Sequence, residues 1–462
     1  MTKEILLEQT QGICKVCFKT IDAQVVEKNG RVFLKKKCPV HGEDEVLHKF
    51  DIPELYKGVR RIFSDIFEPP NYFRSVMLYV TNQCNMHCPV CFADTDFPEF
   101  KEPSLPELEK FLDNYKGKGN TVNLIGGEPT VRQDLAEIIK AIKRRGMIAG
   151  FLSNGIKLQD SDYVRKIKNA GADVIALSLD SLRGDDVEYL KGRNILSEKL
   201  KAFDNLKKAG IGIYLFCVIA ENVNEDQIVP LVNLAKNNIG AVAVISFYPI
   251  FRTGRYKDLG SIPISKIYDK MKEIGLTLED FLATTEMAYL FCKLGNKLFN
   301  TKMARYNPCA QEAFLFKGRS GEWVKLSQLL NMEYLIGRLR KINMSTKNES
   351  FLKNWITFLT SFPFFYLIRQ IVSDKTLRTI FFSVAREFVK KRSIDKAVRT
   401  QALNIRICYF FDVVNADLNL LKMCNLPSSA FKDGDILCSC MRQIGCDSQR
   451  ASLNSRNCSA CS

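Results

Sequence analysis

The chain has 462 residues, 46% of them hydrophobic and 26% charged, a balance that describes globular domains with their own cores and excludes a disordered chain. Sixteen Cys are few for a disulfide scaffold of this length, and their C-x2-C groupings behind a polar start (Thr2, Lys3, Glu4) point to metal ligation in a reducing compartment, the cytoplasm. A formal net charge of +16 favours nucleic acid, anionic lipid or phosphorylated substrates as partners without choosing among them.

Residues 1–50 read as a small metal-bound module. Cys14 and Cys17 form one knuckle, and Cys38 with His41 forms the second. Between them, Ala23 to Glu27 and Arg31 to Lys35 read as strands around a Lys28-Asn29-Gly30 turn. Two ligand knuckles joined by a hairpin follow rubredoxin-like or zinc-ribbon-like logic, and so short a module needs such a staple. Zinc, a single iron and a cluster all fit this spacing. Residues 51–71 form a linker with one helix from Pro53.

Residues 72–250 alternate apolar strands with amphipathic helices. The strands are Val76–Val80, Thr121–Ile125, Ile148–Leu152, Val174–Leu179, Gly212–Ile219 and Ala241–Tyr248. Helices fall between them, one capped by Ser104. Such alternation predicts an α/β fold with a parallel sheet, in which ligands sit at the C-terminal ends of the strands. The polar motifs fall there. After the first strand comes Cys84-Asn85-Met86-His87-Cys88-Pro89-Val90-Cys91. After the second comes Gly126-Gly127-Glu128-Pro129, whose amides and carboxylate suit an amino-acid ammonium group. Later strand ends carry Ser153 and Asn154, Ser178 and Asp180, and Glu221 with Asn222, suited to carboxylate, ribose and adenine edges.

Three thiolates within eight residues hold three irons of a [4Fe–4S] cube and leave the fourth iron open to a chelating small molecule. A zinc loop using His87 as fourth ligand is the alternative reading. The C-x3-C-x2-C spacing, the GGEP run and the strand-end polar groups together resemble a radical S-adenosylmethionine (SAM) enzyme over about residues 72–250. The resemblance implies an open (β/α)6 partial barrel, a [4Fe–4S] cluster with SAM at Cys84, Cys88 and Cys91, and a 5′-deoxyadenosyl radical that abstracts hydrogen. It also implies a reductant such as ferredoxin or flavodoxin as partner.

Residues 251–400 lose the βα pattern and read as a helical cap or membrane-interface region. Phe351 to Ile368 is very apolar, but Lys353 and Pro363 interrupt it, so it falls short of the roughly 20 residues of a bilayer span. Beyond it, Thr376 to Lys390 is a basic amphipathic helix, and aromatics beside Lys and Arg suit a helix lying in a membrane interface. Residues 401–462 are Cys-rich: Cys408, Cys424, Cys438, Cys440, Cys446, Cys458 and Cys461. With Cys309 they are candidate ligands for one or two auxiliary Fe–S clusters.

The order of these parts, with Asn307-Pro308-Cys309 after the core and Phe411 to Leu418 leading into Cys424, is similar to the tetraether lipid synthase family. That resemblance implies C–C bond formation between lipid hydrocarbon chains, a lipid substrate, and peripheral association with the cytoplasmic membrane face. The Cys438 to Cys461 stretch is richer in cysteine than the family pattern. Two alternatives stand beside it: a peptide-modifying radical SAM enzyme with auxiliary clusters, and a pterin-type methylase. No nucleic acid is expected as partner. Tyr79, Tyr248 and Tyr256 are candidates for the barrel mouth, and no residue is assigned as catalytic hydrogen donor.

Overall fold

The structure, a computed structural model, describes residues 4–64, 75–92, 102–250, 262–299, 309–318, 320–345, 351–391, 397–398, 400–412, 414–421, 427–429 and 436–438. Glu4–Ile13 (β1), Thr20–Lys28 (β2), Arg31–Cys38 (β3) and Gly42–Leu47 (β4) pair antiparallel in chain order. Asn29 and Gly30 join β2 to β3 at φ of 53° and 70°, the left-handed backbone a two-residue hairpin turn needs. The hairpin is as expected, and β1 and β4 extend it on both sides. Val25, Val32 and Leu34 are buried in one core with Leu55 and Val59 of Pro53–Ile62 (α1).

The βα alternation then runs as the hydrophobic pattern requires. In order come Val76–Thr81 (β5), Leu105–Tyr115 (α2), Thr121–Gly126 (β6), Leu135–Arg144 (α3), Ile148–Ser153 (β7) and Ser161–Ala170 (α4). Val174–Ser178 (β8), Gly184–Lys191 (α5), Leu196–Lys208 (α6), Gly212–Ile219 (β9), Ile228–Asn237 (α7) and Val242–Pro249 (β10) follow. The six strands β5 to β10 neighbour one another in chain order, all parallel. Ser104 caps α2 in a reciprocal box with Glu107. Along β9, Ile213, Leu215, Cys217 and Ile219 are buried, while Tyr214, Phe216 and Val218 are only half-buried. One face of the sheet is therefore packed under helices and the other is partly open.

The remaining elements are Ile264–Lys272 (α8), Leu278–Phe299 (α9), Ala310–Lys317 (β11), Trp323–Lys325 (β12), Leu326–Leu329 (α10), Met332–Ser345 (α11), Phe351–Ser361 (α12), Phe364–Ser373 (α13) and Lys375–Lys391 (α14). Three strands close the described chain: Ala402–Cys408 (β13), Pro427–Ser429 (β14) and Ile436–Cys438 (β15). The sequence pattern led to a helical region after residue 250, and this needs correction. β13 joins β10 in parallel, β11 and β12 add antiparallel strands beyond it, and β14 pairs with β5 at the other edge. The full order is β12-β11-β13-β10-β9-β8-β7-β6-β5-β14-β15. Short apolar runs such as Ala402 to Cys408 carry no periodicity that separates strand from buried helix.

Pro363 divides the apolar stretch into α12 and α13. Among the described residues, no helix is long and apolar enough to cross a membrane. The N-terminal sheet docks on the segment after β13. Thr10 Oγ1 donates to Asp417 at 2.7 Å, His48 Nε2 lies 3.5 Å from the same carboxylate, and Lys36 Nζ donates to the Val414 carbonyl at 2.8 Å. Phe50 meets Tyr409 edge-on with ring centres 4.8 Å apart.

Candidate functional site

The cysteine loop leaves β5 and is tied down across the C-terminal ends of the parallel strands. Gly127 N donates to the Thr81 carbonyl and Glu128 N to the Gln83 carbonyl, both at 2.9 Å. This approach requires glycine. A Cβ on Gly126 would stand 2.0 Å from Thr81 O, and one on Gly127 would stand 2.2 Å from Gln83 O. Asn85 accepts from Asn154 Nδ2 at 2.8 Å, beyond the end of β7. Val90 packs with Leu190 of α5 and with Ala220 and Ile250, which follow β9 and β10. The three thiols are thus held over the half-open face of the sheet.

Glu128 is wholly buried. Its carboxylate accepts from Thr130 Oγ1 at 2.7 Å, Thr130 N at 3.2 Å, Ser153 Oγ at 2.9 Å and Asn154 N at 2.7 Å. The GGEP amides and carboxylate, expected to meet an ammonium group, join the β6 loop to the β5 and β7 loops here. Pro129 opens a short 3-10 turn below them. Ser178 Oγ donates to Asp180 at 3.3 Å. Asp180 accepts from Val218 N at 2.9 Å and pairs with Lys191 at 2.9 Å. Glu221 lies further out, paired with Lys266 of α8.

Lys191 and Lys199 went unnoticed in the sequence because lysines on helices normally face water. Lys199 is buried and the Lys191 side chain is 11% exposed, and both lie beside the cysteine loop. Lys199 donates to the Ser178 carbonyl at 2.5 Å and to the Asn154 carbonyl at 3.3 Å. Burial draws Lys199 down to about 8. Burial also opposes the Asp180 charge, and Lys191 and Lys199 more than compensate, holding it ionised. Burial pushes Cys84 up to about 12 and raises Cys88, against the pull of Lys191 on Cys88. Three half-buried thiols with two adjacent cations form a donor set that fits an anionic iron–sulfur cluster.

The N-terminal knuckles meet in space. Cys14 Sγ and Cys38 Sγ lie 3.5 and 3.4 Å from His41 Nδ1, and Cys17 Sγ lies 3.9 Å from Cys38 Sγ. All four ligand atoms lie within 4.8 Å of one another, the arrangement of a closed tetrahedral site. The Val40 backbone N–H, with His41, holds Cys38 as a thiolate by drawing its pKa down to about 6. Among the described residues it is the one group of three or more such ligands drawn together this tightly.

A second polar group occupies the half-open face at β9, β10, β13 and β11. Tyr214 Oη donates to Ser246 Oγ at 2.6 Å and lies 2.9 Å from Tyr248 Oη. Tyr248 stacks on Phe216 at 3.9 Å. Burial pushes Cys408 up to about 11. Glu312 accepts from Asn404 Nδ2 and Arg406 Nε, both at 2.8 Å. Cys309 reaches this edge through its carbonyl, which accepts from Tyr409 N, but the strand register pairs Cys408 with Ala310. Cys438 ends β15. Cys424, Cys440, Cys446, Cys458, Cys461 and Tyr256 lie outside the described residues.

Residues 78–235 match the family model described as the Radical SAM superfamily, and residues 6–48 match the HMPTM N-terminal zinc ribbon domain. The chain is 28% identical over 361 residues to the 7,8-dihydro-6-hydroxymethylpterin dimethyltransferase of Methanocaldococcus jannaschii, covering 71% of each chain. It is 27% identical over 280 residues to the GTP 3′,8-cyclase of Nautilia profundicola, covering 55% of this chain and 87% of that one. Among solved structures, Streptococcus suis SuiB bound to S-adenosylmethionine aligns with a TM-score of 0.39 at 17% identity, over 44% of this chain and 48% of that one. The first of these relatives bears a pterin name, where the order of motifs resembled tetraether lipid synthases. The loop geometry and the matched models agree on two parts of the chain: residues 78–235 carry a radical SAM domain, and a metal-binding zinc ribbon precedes it.

Proposed function

We propose that the enzyme functionalises a carbon of a pterin-type heterocycle, as a methylase would, with the substrate lying over the half-open face of the sheet. The observation that carries this reading is the cysteine loop tied across the strand ends, with a second polar group at Glu312, Asn404 and Arg406 further along the same sheet. The 28% identity to a pterin dimethyltransferase over 71% of the chain supports the substrate class. When bound, a [4Fe–4S] cluster with SAM supplies a 5′-deoxyadenosyl radical that removes a hydrogen atom from carbon.

The chain's own residues do the positioning. Cys84, Cys88 and Cys91 hold the cluster, with Lys191 and Lys199 balancing its charge. Gly126 and Gly127 let the GGEP loop brace the cysteine loop, and Glu128 fixes Ser153 and Asn154. Asn154, Ser178, Asp180 and Glu221 form the polar rim for SAM. The six parallel strands curve as a partial barrel in this reading. Cys309 and Cys408, with Cys424, Cys438, Cys440, Cys446, Cys458 and Cys461, supply one or two auxiliary clusters. Ferredoxin or flavodoxin delivers the electron, in the cytoplasm. The domain limits are 1–50, 51–71, 72–250, 251–400 and 401–462.

A second reading, coupling of lipid hydrocarbon chains at the membrane face, is favoured by the apolar side chains that α13 and α14 expose. Phe365 is 90% exposed and Val389 74%. One experiment separates the two. Protein reconstituted anaerobically with SAM and reductant is given 7,8-dihydro-6-hydroxymethylpterin or membrane lipids, and 5′-deoxyadenosine is followed with mass analysis of products. Pterin-stimulated cleavage with a modified pterin is the expected result. Stimulation by lipid alone, with products two hydrogens lighter per new bond, supports the second reading. Stimulation by neither removes both.

A further inference from the structure

The strand register draws a line of side chains across the half-open face. Ser178 of β8 pairs with Phe216, Phe216 with Ser246, Ser246 with Arg406, and Arg406 with Glu312. Three strand spacings, roughly 14 Å, separate Ser178 beside the cysteine loop from Arg406. That span matches the length of a small substrate whose far edge would rest on β13.

The groups at that edge are ordered and incompletely used. Glu312 is an acceptor only, so the nitrogen of the Asn404 amide faces it and the amide oxygen faces away. Asn404 is 6% exposed, and its Oδ1 receives no hydrogen bond from any described residue. Arg406 is pinned through Nε, and its two terminal nitrogens have no hydrogen-bond partner among the described residues. A buried amide acceptor and a fixed guanidinium donor therefore stand two residues apart on one strand face. Beside them, Tyr248 stacks between Phe216 and Phe410, with ring centres 3.9 and 5.7 Å away.

Buried polar groups left unsatisfied this way are costly unless something completes them. A ligand edge bearing an N–H donor beside a carbonyl acceptor does so: the N–H reaches Asn404 Oδ1, and the carbonyl takes the Arg406 guanidinium. A ring face of the same ligand lies against the aromatic neighbours. We infer that Asn404 and Arg406, ordered by Glu312, form the recognition edge for a planar lactam heterocycle of the 2-amino-4-oxo type. This rests on the pterin-type reading and adds to it the residues that read the ring.

The test uses holoenzyme reconstituted anaerobically with SAM and measures equilibrium binding of 7,8-dihydro-6-hydroxymethylpterin and of a 2,4-diamino analogue. The analogue replaces the ring carbonyl with an amine. Wild-type enzyme is expected to prefer the oxo compound by about ten- to hundredfold, the worth of a hydrogen bond to a charged partner. Arg406→Met and Asn404→Leu are each expected to reduce that preference, because the analogue lacks both the ring carbonyl and the adjacent ring N–H. Discrimination by the wild type needs no variant to fold. Equal binding of both ligands by the wild type overturns the inference while leaving the pterin reading in place. Failure of the wild type to bind either ligand overturns both. Retained preference in a folded Arg406→Met protein overturns the role of Arg406.

Discussion

Asp417 lies 0% exposed between the N-terminal sheet and the segment after β13, accepting from Thr10 and facing His48. Burial opposes its charge, and the His48 contact with the Thr10 hydroxyl outweighs that, so its carboxyl titrates below the usual 3.8. A depressed carboxyl contributes stability that is complete above the unfolded value and is lost as pH falls through the folded one. Wild-type protein should therefore lose this contribution below pH 3.8, and Asp417→Ala should lack that part of the acid transition. At neutral pH the substitution should cost about 1–3 kcal/mol, as leaving the buried Thr10 hydroxyl without its acceptor does, measured by denaturant unfolding. Gly127 offers a second residue-scale test. Alanine there puts a Cβ against Gln83 O, and the backbone shift that follows costs about 1–3 kcal/mol. Because that shift moves the start of the cysteine loop, iron and sulfide per chain after reconstitution should fall in Gly127→Ala. An unchanged cluster content would show that the loop tolerates the displacement.

At the scale of elements, the strand ends were readable because parallel α/β packing forces period and order together. Buried strands must be apolar, and the loops that follow them must carry the polar groups. The ligands of the ribbon were equally plain, since two knuckles around an Asn-Gly turn leave little freedom. What escaped reading has physical reasons. Lys191 ends α5, a helix of eight residues, and a lysine there looks like an ordinary solvated cation. β13 is one seven-residue apolar run, and nothing in ALNIRIC says that it joins a sheet begun more than 300 residues earlier. The ribbon itself makes a clear prediction. Cys14, Cys17, Cys38 and His41 close one site, so removing its metal with a chelator should lower the melting temperature of the chain and loosen residues 4–47 to hydrogen exchange. Because Val25, Val32 and Leu34 are packed into the core shared with α1 and the rest of the chain, the loss should be partial and reversed by adding zinc.

For the whole molecule, α13 and α14 expose apolar side chains beside basic ones. Phe365, Ile368 and Val372 recur on α13 at helical spacing, and Phe382 and Val389 do so on α14, beside exposed Arg369, Lys375, Arg378 and Arg386. If the second reading of the function holds, the protein should sediment with vesicles rich in anionic lipid and release as salt rises. Phe365→Ser with Phe382→Ser should abolish that sedimentation, and indifference to vesicle charge would count against it. The two edges of the six-stranded parallel sheet carry a different lesson. β13 covers the β10 edge and β14 the β5 edge, and both strands come from beyond residue 400. On the ribosome, the six strands therefore emerge first and wait with both flanks bare until the residues beyond 400 have been made. The ribbon waits as well, since its docking partner, Asp417, is made in the same late segment.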